Sequence, residues 1–244
     1  MANADNTAEE RVAEALITGV RDAPVEGLPA RLCEMCVQLL PVTGASISLR
    51  GRDAIGATLY ATDLVAARLA EAQVTLGTGP CTSAWDSGAP ALAPDLAAGN
   101  QMLRWPMFCA AAAELGVRAA FSFPLSIGAS SAGTLDLYRD APGSLSPAQV
   151  RMGLLAADTA VLAVLRLSDR GGAQEDEGGL VWLGPVESGH EQVHQATGMV
   201  MMMLEVGPEE ALLRLRARAF TTGTSLSALA RRVVERRTWE GEDD

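Results

Sequence analysis

Residues 194–234 read HQATGMVMMMLEVGPEEALLRLRARAFTTGTSLSALARRVV, and this stretch decides the C-terminal architecture. Its apolar residues recur at helical spacing in three blocks separated by breakers, which predicts a compact module of three short helices. Gly207-Pro208 closes the first block and opens the second. Proline is tolerated in a first helical turn because the amide it lacks has no partner there, and Glu209 and Glu210 fall at the positive end of the helix dipole. Thr222-Gly223-Thr224 separates the second block from the third, with Thr224 or Ser225 available as the cap. At about 100° per residue, Ala211, Leu212, Leu215 and Ala219 share one face of the second helix, which must pack on the other two. Arg216 flanks one edge of that stripe; Arg214 and Arg218 flank the other. Leu213, Ala217 and Phe220 lie opposite, a second apolar surface that needs a subunit, the preceding domain or unstacked bases as its partner.

The residues Gln195-Ala196-x-Gly198, Glu210-Ala211-x3-Leu215-Arg216-x2-Ala219 and Leu226-x2-Leu229-Ala230-x2-Val233 hold their spacing across all three blocks. In this the segment closely resembles an ANTAR domain, the RNA-binding module of bacterial antitermination regulators. The resemblance implies a paired module that binds tandem hairpins in a nascent transcript and excludes the terminator. It also implies that Arg214, Arg216 and Arg218 contact phosphate or loop bases, that Thr197 and Ser225 add polar contacts, and that Ala219 permits close approach. Many members of the family carry Lys between the Ala and Gly of the first helix. This chain has Thr197 there, which removes a cation from a position expected to face phosphate.

Charge qualifies that expectation. The net charge is -11, distributed as -8 over residues 1–186, +1 over 187–237 and -4 from Thr238 onward, so the module is basic only relative to its surroundings. Binding to unstructured nucleic acid should be weak and should depend on a shaped target and on two modules acting together. All 19 basic residues are Arg, which suits bidentate phosphate contacts and also follows from a GC-rich coding sequence.

The chain has 244 residues, 48% hydrophobic and 4% aromatic, enough for one sizeable core and one small one. Its polar, acidic start is no secretory signal and no apolar run approaches the roughly 20 residues of a membrane span, so a cytoplasmic protein without a membrane partner is expected. The boundaries expected are an N-terminal extension over 1–27, a first domain over 28–168, a flexible Gly- and acid-rich linker over 169–179, the C-terminal module over 180–237 and an acidic tail over 238–244. Leu180 to Leu183 is expected to give a short apolar anchor, with Trp182 packing against one of the two domains.

Within 28–168 the patterns run helix, strand, strand, short helices, strand, helix, two strands, helix. This order predicts an antiparallel sheet with helices on its faces, an α+β arrangement. Gly77-Thr78-Gly79-Pro80-Cys81, Trp105-Pro106-x-Phe108, Phe123-Pro124-Leu125 and Gly133-x-Leu135-x-Leu137-Tyr138 make this region similar to a GAF domain, a sensory fold that takes small molecules. The fold class expected is therefore α+β: a GAF-like antiparallel sheet with flanking helices, plus a three-helix ANTAR module. The ligand and any cofactor stay unnamed, because cyclic-nucleotide, haem and bilin signatures are missing. Trp85, Trp105, Phe108, Phe121 and Phe123 are candidates for a pocket or for plain core.

Catalysis is not expected. Both histidines, His190 and His194, lie outside the first domain, no Ser–His or Cys–His pairing is available within it, and a Walker loop is impossible without Lys. The two histidines share a helical face, but nothing nearby completes a metal site, so partner contact or exposure is the simpler reading. Cys33 and Cys36 read as small buried residues on one helix face. Cys81, following Gly79-Pro80 at a helix start where the dipole favours thiolate, is the candidate for ligand or redox sensing, set against a structural cysteine in a tight turn.

Two further readings stay open. Gly223-Thr224-Ser225-Leu226-x2-Leu229-Ala230 can also start the second helix of a DNA-binding helix-turn-helix, and Leu213 with Phe220 can serve a protein-only sensory scaffold. Surplus apolar residues along 146–167, among them Leu154, Leu155, Leu162 and Leu165, predict a homodimer.

Overall fold

The computed structural model describes residues 27–50, 56–128, 130–171, 175–176, 179–180, 187–237 and 239. The N-terminal extension up to residue 26, Trp182 and most of the acidic tail lie outside them.

Alternating strands build the first domain. β1 (Gly44–Arg50) and β2 (Gly56–Ala61) form a hairpin, and β3 (Ala91–Ala93), β4 (Ala119–Ile127) and β5 (Ser130–Arg139) complete an antiparallel five-stranded sheet in the order β2-β1-β5-β4-β3. Helices α1 (Leu28–Leu39) and α6 (Pro147–Gly171) cover one face; α2 (Leu64–Leu76), α3 (Pro80–Ser87) and α5 (Pro106–Glu114) cover the other, with α4 (Gly99–Arg104) leading into α5.

Period-2 geometry gives the two faces different characters. Ile47, Phe121, Phe123, Leu125, Leu135 and Leu137 point to the α1/α6 side and are buried there. Packing is tight enough that a Cβ on Gly153 of α6 would stand 2.3 Å from the Phe123 ring. On the opposite side the same alternation places Ser46, Ser48, Ser122, Thr134 and Asp136. Ser46 pairs across with Asp136, Asp136 with Ser122, and Ser48 with Thr134, so a polar row crosses three strands beneath the second helical layer.

The element order follows the sequence expectation, with differences at three places. The stretch between β2 and α3 holds a 13-residue helix, α2, capped by Asp63, whose carboxylate accepts from the Ala66 amide at 2.8 Å. Helix α6 runs on to Gly171, into the expected linker, and β6 (Glu175–Asp176) pairs with β7 (Gly179–Leu180) inside it. By length and composition Pro147–Leu165 of α6 is apolar enough to cross a membrane, but Ala156, Ala160, Val161 and Val164 are buried in the first domain's core, so it reads as a core helix.

The C-terminal module consists of α7 (Glu187–Leu204), α8 (Pro208–Thr221) and α9 (Leu226–Arg236). Its core joins Val193, Ala196 and Val200 of α7 to Ala211, Leu215 and Ala219 of α8 and Leu226, Leu229, Ala230 and Val233 of α9.

Candidate nucleic-acid interface and the adjoining cleft

The caps form where the sequence placed them. Pro208 stands in the first turn of α8 after Gly207, with Glu209 and Glu210 beside it, and the Ser225 hydroxyl accepts from the Ala228 amide at 3.1 Å to start α9. Ala211, Leu212, Leu215 and Ala219 are buried, while Leu213 is 64% and Phe220 50% exposed, so the second apolar face has no cover within the described residues.

The six proposed RNA-contacting residues divide. Arg214 lies on the surface, its guanidinium 2.7 Å from Glu210 in an i,i+4 pair of the kind that contributes a few tenths of a kcal/mol. Arg218 occupies the last turn of α8, where a cation suits the dipole, and is partly exposed. Arg216 turns the other way, towards the first domain: its Nε donates to the Val74 carbonyl at 3.3 Å. Thr197 is buried and donates its hydroxyl to the Val193 carbonyl at 2.7 Å, and Ala219 sits in the module's core; both serve packing here rather than the surface. Ser225 is committed to its cap. The sequence reading passed over Arg231, Arg232, Arg236 and Arg237, which are exposed along and just beyond α9. Their signal was present, since they fill the face left by the Leu226, Leu229 and Val233 stripe. His194 is exposed, and the His190 side chain lies outside the described residues.

Arg216 faces inward because the module docks on α2. Val74 packs against the module's core, the Leu226 amide donates to the Thr75 hydroxyl at 3.1 Å, and the Ser227 hydroxyl donates to the Glu71 carboxylate at 3.3 Å. These α2 residues share one face at helical spacing; Ala66, Leu69, Ala70 and Gln73 are buried on the other. Gly77 ends α2 with φ +64°, and a Cβ there would stand 3.0 Å from the Arg216 guanidinium, so glycine serves both the left-handed turn and the close approach.

Between α2, α3 and the polar row of the sheet lie two adjoining clefts that share Ala70 and Gln73. The outer is lined by Ser48, Thr134, Cys81, Trp85 and Arg216; the inner by Ser46, Ser122, Asp136, Phe108 and Tyr138. Buried Gln73 accepts from the Cys81 amide at 2.8 Å, an arrangement that needs glycine at 79, where a Cβ would strike the Gln73 side chain at 2.5 Å. Burial pushes the Asp136 carboxyl up to about 6, against the opposing pull of hydrogen bonds donated by Ser122 and Thr134. Of the aromatic candidates, Trp85 lines the outer cleft and Phe108 the inner, while Trp105, Phe121 and Phe123 are core. Cys33, Cys36 and Cys109 are buried, and burial raises each thiol, Cys36 to about 12; Cys81 is half-buried in the cleft wall.

Residues 188–234 match the family model of the ANTAR domain. The first domain superposes on the GAF domain from a phosphoenolpyruvate-protein phosphotransferase of Coxiella burnetii, with TM-score 0.53 and 13% identity over 68% of this chain and 98% of that one. It superposes equally on the GAF domain from the Acinetobacter phosphoenolpyruvate-protein phosphotransferase, with TM-score 0.53 and 10% identity over 70% and 98%. At such identities the likeness establishes the fold alone. A comparison with curated proteins gives no match. The chain therefore has the GAF–ANTAR architecture, a domain of the GAF fold followed by an ANTAR domain.

Proposed function

We propose that the chain is an RNA-binding transcription antitermination regulator of the cytoplasm, regulatory rather than catalytic. Its ANTAR module binds tandem stem-loops of a nascent transcript, and the GAF domain, through a small molecule held over its polar sheet face, controls that binding. The observation that carries the reading is the ANTAR match on a module whose Arg214 and Arg218 flank the buried stripe of α8 at the surface, joined by the arginines of α9. With +1 net charge over 187–237 the module has little non-specific attraction for nucleic acid, so shape and pairing of two modules supply the selectivity. Pairing is supported by α6, where Leu154 (37%) and Leu162 (55%) stand exposed two helical turns apart.

The test is competition binding of the purified chain to RNA with two stem-loops, to duplex DNA of the same sequence and to unstructured RNA. Preference for the stem-loop RNA, steep in salt, is expected. Preference for the duplex would establish the helix-turn-helix reading. A protein-only scaffold, favoured by the exposure of Leu213 and Phe220, would bind none of the three.

A further inference from the structure

The inner cleft holds a negative charge that no protein cation meets. Asp136 lies deep between the sheet and α2 but keeps part of its surface on the cleft, and it accepts hydrogen bonds from the Ser122 hydroxyl and, at 2.8 Å, from the Thr134 hydroxyl. Among the described residues none that lines this cleft is basic, and Asp136 makes no ion pair, so two neutral donors alone offset its charge. A carboxylate has room for about four hydrogen bonds, and only two are filled. Burial pushes its carboxyl up to about 6, which still leaves it mostly ionised at neutral pH.

Further acceptors surround it. Ser46 pairs across from Asp136 and lines the same cleft, and Tyr138, two residues along β5, donates its hydroxyl to the Asp63 carboxylate at 3.1 Å, so a second negative charge stands behind the wall. Ala66, Leu69, Ala70 and Phe108 form the apolar side. In the adjoining outer cleft the Ser48 hydroxyl, two residues along β1 from Ser46 and 8% exposed, has no hydrogen-bond partner, so the polar row is short of a partner there as well.

We propose that the inner cleft binds a small primary amine in its ammonium form, with the head on Asp136 and a short apolar chain against α2 and Phe108. An ammonium group offers three N–H donors: one meets the Asp136 carboxylate in a charge-assisted hydrogen bond, and the hydroxyl oxygens of Ser46 and Tyr138 accept the others. An organic anion is repelled by both carboxylates, and a neutral alcohol leaves the Asp136 charge unmet. A metal ion would have an open coordination shell on the side of the two alanines, Leu69 and Phe108. This inference rests on the reading of the first domain as the part that takes a small molecule, and it supplies that molecule's class.

The test uses the full chain with n-propylammonium chloride as the probe, and 1-propanol, sodium propionate and potassium chloride as its neutral, anionic and metal-ion counterparts. Titration calorimetry at neutral pH should show saturable binding of n-propylammonium, and the thermal midpoint should rise with it. The counterparts should do neither. Asp136→Asn keeps the side chain's shape, removes its charge and should weaken amine binding about tenfold or more. Ser46→Ala should weaken it by about two- to tenfold, and keeps the test intact if Asp136→Asn fails to fold. No saturable amine binding, an equal response to any counterpart, or amine binding unchanged in Asp136→Asn, or in Ser46→Ala where Asp136→Asn does not fold, overturns the proposal. A chain that binds stem-loop RNA but no amine overturns this inference alone; one that binds the amine but no nucleic acid overturns the RNA reading alone.

Discussion

The sheet domain and the three-helix module solve the same burial problem with different completeness. The sheet is covered on both faces, and its largest fully buried side chains, Phe108, Phe121 and Phe123, are shared between its two core clusters. The module buries one stripe per helix and leaves Met202, Leu213 and Phe220 at least half exposed. A small domain has too little interior to hide every apolar residue, and here Leu213 and Phe220 are left on the side of α8 opposite its buried stripe. The contrast separates a sheet covered on both faces from a module that leaves large apolar side chains at its surface.

The sharpest way to break this comparison is to open a cavity on each side of it. Phe123→Ala should cost about 3–5 kcal/mol, because the ring is fully buried between the sheet and α6, and chemical denaturation should show the whole first domain losing stability. Leu215→Ala should cost roughly 2–5 kcal/mol, confined to the module. A module transition that leaves the first domain's midpoint in place would confirm two units; a single transition moved equally by both substitutions would show that docking on α2 has fused them.

The Asp136 carboxyl offers a smaller, pH-dependent test. Burial raises it from 3.8 to about 6, so the folded state binds more protons than the unfolded state across that window. Stability contributed by the neutral acid is full below about pH 4 and is lost as pH rises through about 6. Asp136→Asn removes the charge, and unfolding midpoints measured across this range should flatten relative to the wild type. Unchanged pH dependence would show that the polar row is better solvated than its burial implies.

The comparison also explains what the sequence made legible. The module's helices, its Pro208 and Ser225 caps and its buried stripe follow from residues within one or two turns of each other, and spacing alone places them. The sheet's strands and the order of elements were readable for the same reason. Helix α2 was only part of an unresolved run of short helices, because Leu64–Leu76 carries apolar residues on more than one side, one facing the sheet and one facing the module. The partners of Arg216 and Ser227 lie 142 and 156 residues away, a separation that no local pattern encodes. The polar row is intermediate: Ser46, Ser48, Ser122, Thr134 and Asp136 alternate visibly with apolar neighbours, but solvent exposure and a covered cleft give the same pattern. Thr197 shows the limit of motif transfer, since its position faces Val193 within the module rather than a phosphate.

The smallest expected effect concerns assembly. Leu154→Glu with Leu162→Glu should leave the fold intact and shift a homodimer towards monomer, read by light scattering at micromolar concentration. A wild-type chain already monomeric with and without RNA would move the pairing surface away from α6.

The most direct measurement of the central claim is the salt dependence of stem-loop RNA binding by the wild type and by the Arg214→Ala/Arg218→Ala double variant. These two arginines flank the buried stripe without entering it and make none of the described contacts with α2, so circular dichroism should show the fold retained. Each substitution should weaken binding by about 1–3 kcal/mol, and the pair should lower the salt slope by about two. A folded double variant with unchanged affinity and unchanged slope would contradict the account, place the RNA surface elsewhere, and leave the protein contact through Leu213 and Phe220 as the reading to pursue.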